Sequence, residues 1–211
     1  VGFPCHPRAG CQGRLKVPLA TDILRNCLVE TTKFKQRLGL HLPEGFNYLG
    51  AEDFVLDRGT PHAASKLTRK EREILLHAVD HCPMRQFQEG HCYYNAQMLA
   101  MVDPTHTLLY CEGLALGIMP FPTLHGWVLL NGKVVDLTWR KATRARGRFG
   151  DRVLGEIPEG WAYYGVTFDT DTVRVRMLRI GATGSFLEDI ANGFPLFQEP
   201  RLRPVEELLC P

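Results

Sequence analysis

Asn131-Gly132 separates two largely apolar runs, Gly126-Trp127-Val128-Leu129-Leu130 and Lys133-Val134-Val135. A two-residue Asn-Gly link between such runs predicts a β-hairpin closed by a type I′ turn, because both central residues must take positive φ and these two tolerate it. The turn sets the register, with Leu130 opposite Lys133, Leu129 opposite Val134, Val128 opposite Val135, Trp127 opposite Asp136 and Gly126 opposite Leu137. Alternation then places His125, Trp127, Leu129, Val134, Asp136 and Thr138 on one face, with His125 diagonal to Asp136 at ~7 Å between Cα atoms. An imidazole and a carboxylate can meet across that distance.

A carboxylate that orients an imidazole and favours its charged form makes it a useful base for a nucleophile. Residues Cys92 to Val102 read as a helix that is apolar almost all round, hence buried, stopped by Asp103-Pro104. A cysteine on the first turn of such a helix lies at the positive end of its dipole, where a thiolate is favoured. Cys92 is therefore the best nucleophile among the seven cysteines. Alone, a cysteine on an apolar helix is usually a small hydrophobe, and a histidine at a strand end a satisfied polar residue. The conjunction carries the reading: same-face His and Asp on a hairpin, preceded by a helix-start Cys. The expected fold is α+β, a buried helix with Cys92 at its N-terminus packed on an antiparallel sheet.

In this order of elements the chain resembles the papain-like cysteine enzymes, and within them the transglutaminase-like branch. Cys92 matches the nucleophile, His125 the base opening a His-x-Trp strand, and Asp136 the acid of an Asp-x-Thr-Trp segment. The strand Leu108 to Leu116, with Glu112-Gly113, resembles the Gly-bearing strand before the histidine. Tyr110-Cys111-Glu112-Gly113, His125-Gly126-Trp127, Asp136-Leu137-Thr138-Trp139 and Tyr164-Gly165-Val166 also resemble a bacterial and phage family without an assigned function. The motif-bearing match covers about residues 86–168. Gly126 stands where relatives often carry Ala, and Leu137 where Pro is common. The resemblance implies a Cys-His-Asp triad acting through a thioester, with no cofactor, and Gln86 or Gln88 as candidate oxyanion donors beside the Cys92 N–H. Trp127 and Trp139 are expected to wall the site or fill the core. The expected activity is hydrolysis of a peptide or other amide. Acyl transfer by the same triad, as in transglutaminases, and a non-catalytic binding module are the alternatives.

A metal site is the rival constellation. His77 and His81 are spaced i, i+4 and, with Cys82, His91 and Cys92, could supply four zinc ligands, as more weakly could Cys5, His6 and Cys11. No Cys-x-x-Cys pairing supports either group, and no metal is expected.

Composition bounds the rest. At 211 residues, with 45% hydrophobic and 23% charged residues and a net charge of +2, the chain can bury one sizeable core. The expected division is an N-terminal, partly irregular subdomain over residues 1–64, a catalytic core over 65–199 and a surface strap over 200–211. No signal-peptide pattern opens the chain, although its start at Val1 suggests a missing leader, tag or initiator residue. The longest uncharged stretch, Gly113 to Asn131, already reads as strand, loop and hairpin, so no membrane span is expected. An odd number of irregularly spaced cysteines argues for free thiols in a reducing compartment, the cytoplasm of a bacterial or phage-infected cell. Arg140, Lys141, Arg144, Arg146, Arg148 and Arg152 crowd a polar loop that, beyond simple solvation, would attract an acidic substrate; nucleic acid is not favoured, since no aromatics interleave the charges.

Of the remaining elements, a helix is expected around Asp22 to Leu38, then a Pro/Gly-punctuated segment from Leu42 to Ala64 containing Phe54-Val55-Leu56. Lys66 to Asp80 reads as an amphipathic helix capped by Thr68 and Glu71. Ala162 to Phe168 and Thr172 to Leu178 read as strands. Ser185 and Glu188 read as a capping box starting a short helix that Gly193 ends.

Overall fold

In the computed structural model, which describes residues 19–63, 65–83, 87, 90–117, 119–138, 155, 157–180 and 184–209, the hairpin forms in the register its turn dictates. Strand β3 (Thr123–Leu130) pairs with β4 (Lys133–Val135) through Leu130–Lys133, Leu129–Val134 and Val128–Val135. Asn131 and Gly132 take φ of 52° and 76°, as the turn requires. The ladder stops there. The expected pairs Trp127–Asp136 and Gly126–Leu137 do not form; beyond Val135 the chain turns aside, and the Asp136 N–H donates to the Gly155 carbonyl at 2.8 Å.

The architecture is α+β. Five strands form an antiparallel sheet in the order β1-β5-β2-β3-β4, with β1 at Thr60–Ala63, β2 at Leu108–Leu116 and β5 at Ala162–Phe168. Alternation sorts its side chains onto two faces. On one, Tyr110, Leu114, Val128 and Leu130 join the main core with Ala96, Leu99 and Ala100 of helix α4 (Cys92–Val102). On the other, Cys111, Ala115, Trp127, Leu129, Val134 and Tyr163 form a second cluster. Asp103 ends α4 and, through its carboxylate, accepts the N–H groups of Thr105, Thr107 and Leu108 at 2.9, 2.6 and 2.8 Å. That link turns the chain from the helix directly into β2.

The described residues 19–63 belong to this same core. Helices α1 (Ala20–Arg37) and α2 (Ala51–Arg58) contribute Leu24, Leu28, Phe54, Val55 and Leu56 to the main cluster, and β1 is an edge strand of the sheet. The run Phe54-Val55-Leu56 is apolar because α2 is buried on several sides. Helix α3 (Arg69–His81) starts at the expected capping box, in which Thr68 and Glu71 satisfy each other's backbone N–H. The C-terminal strap is fixed by charge: Arg201 makes two contacts of 2.9 and 2.8 Å with the Asp53 carboxylate, while Asp57 accepts the N–H groups of Leu202 and Arg203 at 2.8 and 2.9 Å. The short helix α6 (Val205–Leu209) follows it.

Two elements differ from the sequence reading. Thr172 to Leu178 is not a strand; it lies within helix α5 (Thr170–Ile180). Asp169 starts that helix by accepting the Thr172 N–H at 2.7 Å, and tertiary packing selects the helical period: Thr170, Val173 and Met177 turn inward while Val175 is 45% and Leu178 86% exposed. The alternating Val-Arg-Val-Arg pattern mimicked a strand. Nor does Ser185 start an α-helix. It accepts the Glu188 N–H within a turn, and a 3-10 turn, Ile190–Asn192, begins later at Asp189 before ending at Gly193 in the left-handed region.

Val173 and Val175 would share a face in a strand but not in this helix. Val173→Asp is expected to cost about 3 kcal/mol or more by burying a charge, and Val175→Asp about 0.5 kcal/mol or less, in urea unfolding midpoints. Equal losses at the two positions would contradict the helix.

Candidate active site

Cys92 is the first residue of α4, preceded by Gly90 at a φ of 80°. Its N–H belongs to the helix's first turn, whose backbone donors have no carbonyl one turn back. The helix start sits hard against β3 because Gly126 has no side chain there: a Cβ would lie 3.1 Å from the Tyr93 Cα and 3.0 Å from its ring. An alanine at this position would press directly on the residue after Cys92.

His125 and Asp136 meet as the hairpin register predicted, although the strand pairing ends one residue earlier. The His125 Nε2 lies 2.6 Å from the Asp136 Oδ2, and both side chains are almost fully buried. The carboxylate is also held by the Tyr163 hydroxyl, which donates to the same oxygen at 2.9 Å, and by the Thr138 N–H, which donates to Oδ1 at 2.9 Å. Thr138 is in turn held by the Asn95 amide at 3.0 Å. Asn95 lies one turn along α4 from Cys92, so a single helix fixes both the thiol and the loop bearing the acid.

With Nε2 committed to Asp136, the second ring nitrogen is left for other partners, and the imidazole hydrogen-bonds the Cys92 side chain. Burial opposes charge on His125, but the Asp136 carboxylate and then Cys92 outweigh it and push the imidazole up to about 10. Trp127 stacks nearly parallel to the His125 ring, at 14° and 6.5 Å between centroids. Space for the indole comes from Gly165 on β5, where a Cβ would overlap the Trp127 ring. Gly113, opposite both His125 and Gly165, admits no Cβ because the neighbouring strand's backbone occupies the space. These two glycines explain the Gly-bearing segments noted in the sequence.

The other described cysteines are differently placed. Cys111 is fully buried within the second cluster, and burial pushes its thiol far up, whereas Cys92 is half-buried beside an imidazole. Of the remaining candidates, Gln86, Gln88, Trp139, the basic residues Arg140 to Arg152, and Cys5, His6 and Cys11 lie outside the described residues. The His77 and His81 rings lie 4.3 Å apart between centroids, tilted at 44°, yet no group of three or more His, Cys, Asp or Glu among the described residues could hold a metal ion. No helix among the described residues is long and apolar enough to cross a membrane.

Sequence reasoning missed the supports of the site. Tyr163 comes from β5, whose register against β1 and β2 is a long-range property, and nothing near it in sequence marks it as the partner of Asp136. Asn95, three residues after Cys92 on the same helix, reads from the sequence simply as a packing or hydrogen-bonding residue, and its amide does bond Thr138. Glu112 was noted only as part of a strand motif. It is fully buried and accepts the Ser185 and Tyr110 hydroxyls and the N–H groups of Phe186 and Leu187, the last two at 2.7 and 3.1 Å. Burial pushes its carboxyl upward against those donors. The anchored 184–188 segment lies beside Tyr93, whose phenol is driven far up by burial and then by the charges of Glu112, Cys92 and Glu188.

His125 is raised in the folded state relative to its ordinary value of 6.5. Its stabilising contribution is therefore full below that value and lost as pH rises through about 10. The urea midpoint of the wild type should exceed that of His125→Gln most at pH 6, with the gap narrowing steadily toward pH 10. A gap independent of pH over that window would contradict the dyad.

Comparisons with protein-family models, curated proteins and solved structures give no match to the chain.

Proposed function

We propose that the chain is a cysteine-dependent acyl-transfer enzyme of papain-like, transglutaminase-like fold, acting as a peptidase or amidase. The observation that carries this reading is one imidazole held by a buried carboxylate at 2.6 Å on one nitrogen and hydrogen-bonded to a half-buried, helix-start cysteine. A purely structural histidine could satisfy its ring with one such partner, and the α4 start would not need a half-buried thiol beside it.

The chemistry follows from the placement. With its proton on His125, the Cys92 sulfur attacks an amide carbonyl, forming an S–C bond as the carbonyl pair moves onto oxygen. The N–H of Cys92, at the positive end of α4, is placed to donate to that oxygen. His125 then gives its proton to the departing nitrogen as the C–N bond breaks, leaving a thioester. Water, deprotonated by His125, attacks the thioester; the S–C bond breaks and the acid leaves. Asp136 stays ionised throughout, holding the imidazole orientation and stabilising its charged form. Water needs no second binding site, which favours hydrolysis over transfer to an amine.

A limiting amount of iodoacetamide near neutral pH, followed by mass spectrometry, tests the reading. Cys92 should be labelled at least about tenfold faster than any other cysteine, and His125→Ala should remove most of that advantage. Labelling of Cys92 at the rate of the other thiols, or indifference to His125→Ala, would overturn the proposal.

A further inference from the structure

One oxygen of Asp136 serves two partners. The His125 Nε2 lies 2.6 Å from Oδ2, and the Tyr163 hydroxyl donates to that same oxygen from 2.9 Å. The other oxygen, Oδ1, accepts the Thr138 N–H at 2.9 Å, which ties the carboxyl to the backbone independently of either. A donor on a carboxylate oxygen disperses the charge that its second partner feels. Imidazole and phenol therefore divide a single centre of negative charge.

The phenol reaches that oxygen from a distant part of the sheet. Strand β2 stands between β5 and β3, so the Tyr163 side chain extends over β2, where its cross-strand neighbour is Ala115, a residue with only a methyl group to set in its way. Trp127 meets its ring edge-on at 4.9 Å, and Tyr163 is fully buried. The cluster around it consists of Cys111, Ala115, Trp127, Leu129, Val134 and Ile157. A phenylalanine would pack there equally well, so the hydroxyl serves the carboxylate rather than the core. Among the described residues, charge reaches the His125 ring from Asp136 after β4 and from Cys92 at the start of α4. Tyr163 lies 6.2 Å from it, ring to ring, while His62 of β1 meets the Trp127 ring instead, at 6.4 Å.

We propose that Tyr163 is a positioning residue that acts through Asp136: its hydroxyl takes a share of Oδ2, so that the imidazole holds the proton received from Cys92 loosely enough to pass it to the departing nitrogen. The inference rests on Cys92 being the nucleophile and His125 its base. Without the phenol the carboxylate would keep its Thr138 anchor and give the whole of Oδ2 to the imidazole. Acylation would then slow because the proton is gripped too tightly for transfer.

Tyr163→Phe removes the hydroxyl and keeps the ring. In an NMR titration its His125 imidazole should bind the proton about threefold more tightly than in the wild type, a midpoint about half a pH unit higher. Cys92, facing a more persistent imidazolium, should reach half-maximal reactivity with iodoacetamide at a correspondingly lower pH. In an Asp136→Asn background the same substitution should move neither midpoint, because there is no carboxylate charge to share. Equal shifts in the two backgrounds would show that Tyr163 acts through packing and would overturn the proposal. So would an unmoved or lowered His125 midpoint in a protein whose Cys92 still reacts preferentially with iodoacetamide, and the catalytic reading would survive that result. If iodoacetamide does not single out Cys92 in the wild type, the catalytic reading falls and the role of Tyr163 falls with it.

Discussion

The bond between His125 and Asp136 is the constraint around which the site is arranged. A buried imidazole left to itself would lose its charge, because burial penalises the ionised form. A carboxylate 2.6 Å away reverses that sign. Such a carboxylate is itself costly to bury, and it is tolerable here because two further donors, the Tyr163 hydroxyl and the Thr138 N–H, occupy its remaining lone pairs. Strand β5, the loop after β4 and helix α4, through Asn95, therefore all converge on one carboxyl group. Loss of the Tyr163 or Thr138 contact would loosen the imidazole's partner without touching Cys92.

Space matters as much as charge. Three glycines clear the volume in which the site is assembled: Gly126 lets the start of α4 come against β3, Gly165 makes room for the Trp127 indole, and Gly113 accommodates the backbone beside His125. Each removes a side chain rather than supplying one. On the α4 side, the buried Glu112 performs a comparable service by gathering the 184–188 segment against the strand that neighbours β3. The elements near Cys92 are thus positioned by polar anchors under the sheet and by missing side chains within it.

Local signals carried much of this into the sequence. Asn131-Gly132 determines the hairpin register through Val128–Val135, which delivers Asp136 one residue past the ladder and within reach of His125. The Asp103-Pro104 stop and the Thr68–Glu71 box are equally local. The strand expected over Thr172 to Leu178 went wrong for the opposite reason: its period was decided by which residues α5 buries against the rest of the core. Tyr163 depends on pairing between strands far apart in sequence, so no spacing rule could reveal it. The bearing of Gly126 on the site was hidden too, since a missing side chain is legible only once its neighbour is known.

Asp136 sets the protonation state of the imidazole that faces Cys92. Nitrogen-detected NMR titration of the His125 ring, in the wild type and in Asp136→Asn, measures this directly. The account predicts a wild-type imidazole that stays protonated well above its ordinary 6.5, up to about 10, and one that falls to or below 6.5 once the carboxylate is replaced and burial acts alone. Titration near 6.5 in both proteins would contradict it.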